Sequence, residues 1–138
     1  MEIRDICIRT SYSILIHYLC NRQKRKDMEL TKADMAQLKG LIKRGILRRC
    51  EQWLKETSQF INEEYDEQEN AFDRCMEITK RSCDFYKEAM QRENYYSNSM
   101  MLSGASVLLA EGYLLTEDIA ECRGEVQAAI RRCLTSLD

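Results

Sequence analysis

Between Ile46 and Glu93 the chain has neither glycine nor proline, and proline is missing from the chain altogether. That absence constrains the fold more than any other feature. Without proline to force stops, long helices are favoured over the tight turns of a Greek key or barrel. An apolar seam crosses the stretch as Leu47, Cys50, Leu54, Thr57, Ile61, Tyr65, Gln68, Phe72, Cys75, Thr79, Cys83, Tyr86 and Met90. Its steps are threes and fours with a mean of about 3.6 residues, the turn of an undistorted helix. A strict heptad repeat averages about 3.5 and imposes a left-handed supercoil. Cys50, Ile61, Phe72 and Cys83 instead recur at eleven-residue intervals. The spacing therefore predicts a nearly straight bundle helix. Trp53, Phe60, Met76, Ile78 and Phe85 broaden the stripe, as packing against more than one neighbour requires.

One helix over 46–93 would be about 70 Å long. Helices in globular domains average about 12 residues, so a break is the rival reading. Its place is Asn62 to Asn70, which is dense in Glu and Asp. There Asp66 and Glu69 have the spacing of a helix-starting cap.

The other segments fit around this stretch. Residues 2–21 carry two apolar stripes, Ile3, Ile6, Cys7, Thr10, Ile14, Tyr18 and Ile8, Tyr12, Leu15, Leu19. Together they predict a buried helix, with a strand left open by the β-branched content. Asn21 to Leu30 reads as a charged connection. Thr31 and Asp34 have the spacing of a capping box, followed by Met35, Leu38, Leu41, Ile42 and Ile46 as a helical stripe. Gly40 and Gly45 weaken that helix, let another approach it, or mark a kink. The Asn/Ser-rich cluster 94–99 is the clearest boundary, and Ser97, Asn98 or Ser99 is suited to cap the next helix. Residues 100–111 mix large apolar side chains with Ser103, Gly104, Ala105 and Ser106, as a closely packed buried helix would, and Gly112 is placed to end it. Thr116 is placed to cap a last helix with the stripe Ile119, Cys122, Val126, Ala129, Ile130, Cys133, Leu137. The expected fold is all-α: one domain over 1–138, an up-and-down bundle of four to six helices with one unusually long central helix at about 46–93.

Charge and cysteine content narrow the function. The formal net charge is −2, so no global basic field draws the protein to nucleic acid or anionic lipid. Any such binding would come from a local basic patch: Arg22, Lys24, Arg25, Lys26, Lys43, Arg44, Arg48 and Arg49. The seven cysteines form no C-x-x-C pair and fall mostly on apolar stripes. That pattern suits reduced thiols and a cytoplasmic location. Ile14 to Cys20 is too short to span a bilayer, and no membrane partner is expected.

No constellation for catalysis is complete. His17 is the only histidine, which leaves no close set of zinc ligands. Ser13 and His17 are four apart but have no orienting acid. Glu64 and Glu67 match half of the paired carboxylate motif of helical nucleotide pyrophosphatases, yet no E-x-x-D follows them. There is no glycine-rich phosphate loop. No catalytic residue, cofactor or metal is expected.

One nucleic-acid motif remains. Thr116 to Leu134 resembles the helix-turn-helix of DNA-binding proteins, with Ala120, Gly124 and Ile130 at the motif's spacing. The resemblance covers about twenty residues. It implies that Gln127, Ala128, Arg131 and Arg132 face the DNA groove. Arg123 and Glu125 depart from it, standing where the motif takes apolar side chains. The same residues also fit one unbroken amphipathic helix. The leading expectation is thus a non-enzymatic module that binds another protein or itself, and the alternative is a small DNA-binding regulator.

Overall fold

The computed structural model describes residues 29–64 and 68–135. The first expected helix, 2–21, and the basic residues Arg22, Lys24, Arg25 and Lys26 lie outside them. The described residues form five α-helices and no strand: α1 (Lys32–Asn62), α2 (Ala71–Arg92), α3 (Met101–Ala110), α4 (Thr116–Ile119) and α5 (Gly124–Thr135), with a short 3-10 helix at Glu93–Tyr96. The fold is an all-α bundle.

Helix α1 starts where the sequence says it should. The Asp34 amide donates to Thr31 Oγ1 at 3.1 Å, and the Thr31 amide donates to Asp34 Oδ2 at 2.9 Å. This reciprocal capping box satisfies two of the four otherwise orphaned donors at a helix start. Helix α1 then runs for 31 residues without interruption at Gly40 or Gly45.

The stretch 46–93 is not one helix. Helix α1 ends at Asn62, and α2 begins at Ala71 with Asn70 as its cap. The Asn70 side chain accepts from the Asp73 amide at 2.9 Å. The break falls within the acidic interval Asn62 to Asn70, but the cap is Asn70 rather than the Asp66/Glu69 pair. The end of α1 needs no glycine because α2 supplies a cation to it. Arg74 Nη1 donates to the Phe60 carbonyl at 2.8 Å, one of the last carbonyls left unpaired by the helix ladder. Positive charge at a helix C-terminus is favourable in any case. Arg74 is itself buried, and Glu69 pairs with it at 3.0 Å.

The core lies at one end of the molecule. Leu38, Leu41 and Ile42 from the first half of α1 meet Met101, Leu102, Ala105 and Leu108 of α3 and Val126, Ala129 and Ile130 of α5. Helix α3 is buried from Met101 through Leu108, so its small residues are packing positions. At Gly104 a Cβ would stand 2.7 Å from Tyr95 Cβ, and at Gly45 it would stand 2.9 Å from Leu108 Cδ1. Both glycines are close-approach sites, whereas nothing lies within 4 Å of a Cβ at Gly40. Gly112, with φ of +83°, ends α3. The Tyr113 amide reaches back to Leu108 O and the Gly112 amide to Leu109 O, the two bonds of a Schellman stop. The cap of α3 is Met100, without a side-chain bond, rather than Ser97, Asn98 or Ser99.

The second half of α1 leaves this core and pairs with α2. The contacts descend as they should in an antiparallel pair: Arg49 with Glu88, Trp53 with Phe85, Phe60 with Arg74. The described residues therefore form a three-helix core with a helical hairpin extending from it.

The glycines give a paired test. Gly40→Ala should stabilise the chain by up to about 1 kcal/mol, since the position is helical and open. Gly104→Ala carries the same helix-propensity gain but should destabilise by about 1–3 kcal/mol, because Tyr95 must move. Urea unfolding of the two variants beside the unchanged protein measures both.

Candidate interaction surface

Three of the residues expected to form a basic patch make ion pairs within the chain. Asp118 accepts from Arg48 Nη2 at 3.1 Å, from Arg44 Nη1 at 3.0 Å and from the Leu115 amide at 2.8 Å. Arg48 also donates to the Tyr113 carbonyl at 3.1 Å. These bonds tie the segment after α3 to the flank of α1. Arg49 grips Glu88 through Nε at 2.9 Å and Nη2 at 3.4 Å. Lys43 is exposed.

The helix-turn-helix resemblance meets a different geometry. Helix α4 is a single turn, with Leu115 rather than Thr116 at its cap. The chain breaks between Ile119 and Gly124, so 116–134 is not one continuous helix either. Gly124 is the first residue of α5 and has open space around it, and Ala120 is exposed. Only Ile130, fully buried, does what the motif asks of its position. Arg123, which departs from the motif, has a structural task. It reaches Asp34 at 2.9 Å and Glu125 at 2.6 Å, which pins the α4–α5 turn to the start of α1. Gln127 Nε2 closes the same turn by donating to the Cys122 carbonyl at 2.6 Å. Gln127, Ala128, Arg131 and Arg132 do share one surface, a shallow groove of about 360 Å³ completed by Gly124 and Thr135.

The hairpin holds the more consequential surface. Its inner face is built from aromatic rings and arginines. Trp53 and Phe85 stack with ring centroids 4.6 Å apart. Phe60 has two guanidinium groups within reach, Arg81 at 3.8 Å and Arg74 at 4.2 Å from its ring centre. Near the core, Arg92 is buried and pairs with Glu111 at 2.6 Å and Glu88 at 3.7 Å. The Tyr113 ring lies 5.8 Å from both Arg49 and Arg92. Arginine suits this position because its flat, weakly hydrated head stacks on rings while its stem packs as hydrocarbon. Two carboxylates are drawn into the same arrangement: Glu69 with Arg74, Glu77 with Arg81.

Because that face packs, much of the seam turns outward, although Thr57 is buried and Cys50 half-buried. Leu47, Leu54 and Ile61, each seven residues apart on α1, are at least half exposed. On α2 the stripe Phe72, Met76, Thr79, Cys83, Tyr86 and Met90 is exposed along its whole length, with Phe72 at 69% and Tyr86 at 65%. At 3.6 residues per turn this stripe lies opposite Arg74, Arg81, Phe85 and Arg92, the side that meets α1. The expectation that the seam packs against the rest of the chain is therefore corrected for these residues. Of the residues expected to broaden the seam, Trp53, Phe60 and Phe85 pack while Met76 is exposed, and Thr57 of the seam itself is buried.

The carboxylates that pin the α4–α5 region set its acid sensitivity. Arg123 and the Thr31 amide hold Asp34 down to about 2, and Arg48, the Leu115 amide and Arg44 hold Asp118 well below the usual carboxylate range. An unfolded Asp takes its proton near about 3.9. Below that value the unfolded chain binds more protons than the folded one. The stabilisation is complete above about pH 4 and is lost as pH falls toward about 2. Thermal midpoints measured between about pH 5 and pH 2 should fall, and Asp34→Asn should make that fall shallower.

Compared with protein-family models, curated proteins and solved structures, the chain matches none.

Proposed function

We propose that the protein is a non-enzymatic helical module that binds another protein, or itself, through the outer faces of the α1–α2 hairpin. One observation carries this reading. Leu47, Leu54, Ile61, Phe72, Met76, Tyr86 and Met90 are half exposed or more, in regular helical register, on an element that projects from the core. Single exposed leucines are ordinary, but a contiguous apolar patch beyond a few hundred Å² marks an interaction site. Among the described residues no helix is long and apolar enough to cross a membrane. The free thiols Cys50, Cys75, Cys83 and Cys122 favour a reducing, cytoplasmic setting. Cys133, which is disulfide-bonded, argues the other way.

Photo-crosslinking tests the reading. A photoreactive phenylalanine analogue at position 54 or 76 of the full chain should give protein adducts, including adducts to the chain itself. The same group at position 52, exposed on the side of α1 away from Leu47 and Leu54, should give few. Equal yields from the three positions, or none, would overturn the proposal.

A second reading, binding of duplex DNA, is favoured by the α5 groove that brings Gln127, Ala128, Arg131 and Arg132 to one surface. If it holds, the full chain is retained on duplex at low salt. Arg131→Ala with Arg132→Ala then weakens retention and lowers the logarithmic salt slope by up to about 2. Absence of retention by the unchanged protein ends this reading.

A further inference from the structure

We infer that the outer stripe of α2 pairs with the same stripe of a second copy of this chain, antiparallel about a two-fold axis level with residue 81. The inference rests on the interaction reading above and names the occupant of one of its faces.

The first ground is the register. Phe72, Met76, Thr79, Cys83, Tyr86 and Met90 are separated by steps of 4, 3, 4, 3 and 4, an order that reads the same in both directions. It is the knob spacing of paired helices. Laid antiparallel about residue 81, Phe72 meets Met90 of the second copy, Met76 meets Tyr86, and Thr79 meets Cys83. Large side chains thus face large ones toward both ends, and small faces small at the axis, where the backbones come closest. That arrangement keeps the contact evenly filled, as close packing requires. The pairing is isologous and closes on itself, the commonest symmetry of soluble oligomers.

The second ground is charge. Asp73 and Lys87 are exposed on the same flank of the stripe, fourteen residues apart. The antiparallel arrangement brings Asp73 of each copy beside Lys87 of the other, so the contact gains two symmetric ion pairs. A parallel arrangement makes neither. The same arrangement sets Lys80 of each copy beside the other near the axis, a like-charge contact that Asp84, one turn further along each helix, offsets. Complementary flanking charges of this kind set orientation and partner choice in helical pairs.

The stripe extends about 27 Å from Phe72 to Met90. It lies opposite the side of α2 that meets α1, so a partner reaches it without disturbing the hairpin.

A charge-swap series on the full chain tests the proposal, with mass read by light scattering over a range of micromolar concentrations. The unchanged protein should have the mass of two chains. Lys87→Asp should weaken the dimer about tenfold, and adding Asp73→Lys should restore it. Circular dichroism checks that helicity is kept. A two-chain mass indifferent to both changes overturns the proposal, because the contact then lies elsewhere. A one-chain mass at every concentration also overturns it. In that case the alkylation rate of Cys83, with Cys75 on the flank as reference, separates two failures. Rapid reaction means that the stripe is open and the interaction reading stands with a different partner. Slow reaction means that another part of the same chain covers the stripe, which ends that reading too.

Discussion

Arginine packed on aromatic rings is the interaction on which the hairpin depends. Arg49, Arg74, Arg81 and Arg92 fill the space between α1 and α2 that aliphatic side chains fill in an ordinary bundle. A guanidinium can do this because it stacks on a ring face, packs through its stem and satisfies carbonyls and carboxylates at its edge. Each of these arginines meets a carboxylate: Glu88, Glu69, Glu77 and Glu111. Removing one partner would leave a buried or half-buried charge without its counterion, which costs more than the pair itself contributes. The inner face is therefore specified by pairing as well as by volume. The aliphatic residues freed from that task are the ones that reach solvent.

The core uses a different physics. Around α3 the contacts are made by small residues and by shape. Gly104 admits Tyr95, Gly45 admits Leu108, and buried Ser106 lies 2.8 Å from Leu102 O and 3.1 Å from Ile130 O, a link to α5. The polar ties at its edge, Asp118 to Arg44 and Arg48 and Asp34 to Arg123, fix two connections onto α1. Helix α1 takes part in both regimes. Its first half is read by aliphatic packing and its second by arginine and aromatic contacts.

Much of the architecture is legible in the sequence because it rests on local chemistry. The Thr31/Asp34 box, the stop at Gly112 and the burial of the small-residue helix depend on residues within a few positions of each other. The place of the break near Asn62 is legible from its acidic density, but its cause is not. Arg74 acts on Phe60 across thirteen intervening residues of helix and connection, and no local pattern announces a cation that will cap another helix. Periodicity also finds a stripe without saying what lies against it. The more regular stripe of α2 is the exposed one, and the irregular mixture of Arg, Phe and Trp is the packed one. The intramolecular partners of three expected patch residues are hidden from the sequence for a related reason. Arg44, Arg48 and Arg49 look solvated until Asp118 and Glu88, far away in sequence, are brought to them.

That single unbroken helix joins two parts held by different forces, and it makes their unfolding separable. The hairpin half is tied by ion pairs that weaken in salt and by few deeply buried residues, whereas the core half is sealed by aliphatic burial that salt does not weaken. Opening from the Asn62 end can proceed along α1 until it meets Ile46 and Ile42, where the core begins. Helix α1 is then not one cooperative unit but the shared border of two, with local stability rising along its length toward Thr31.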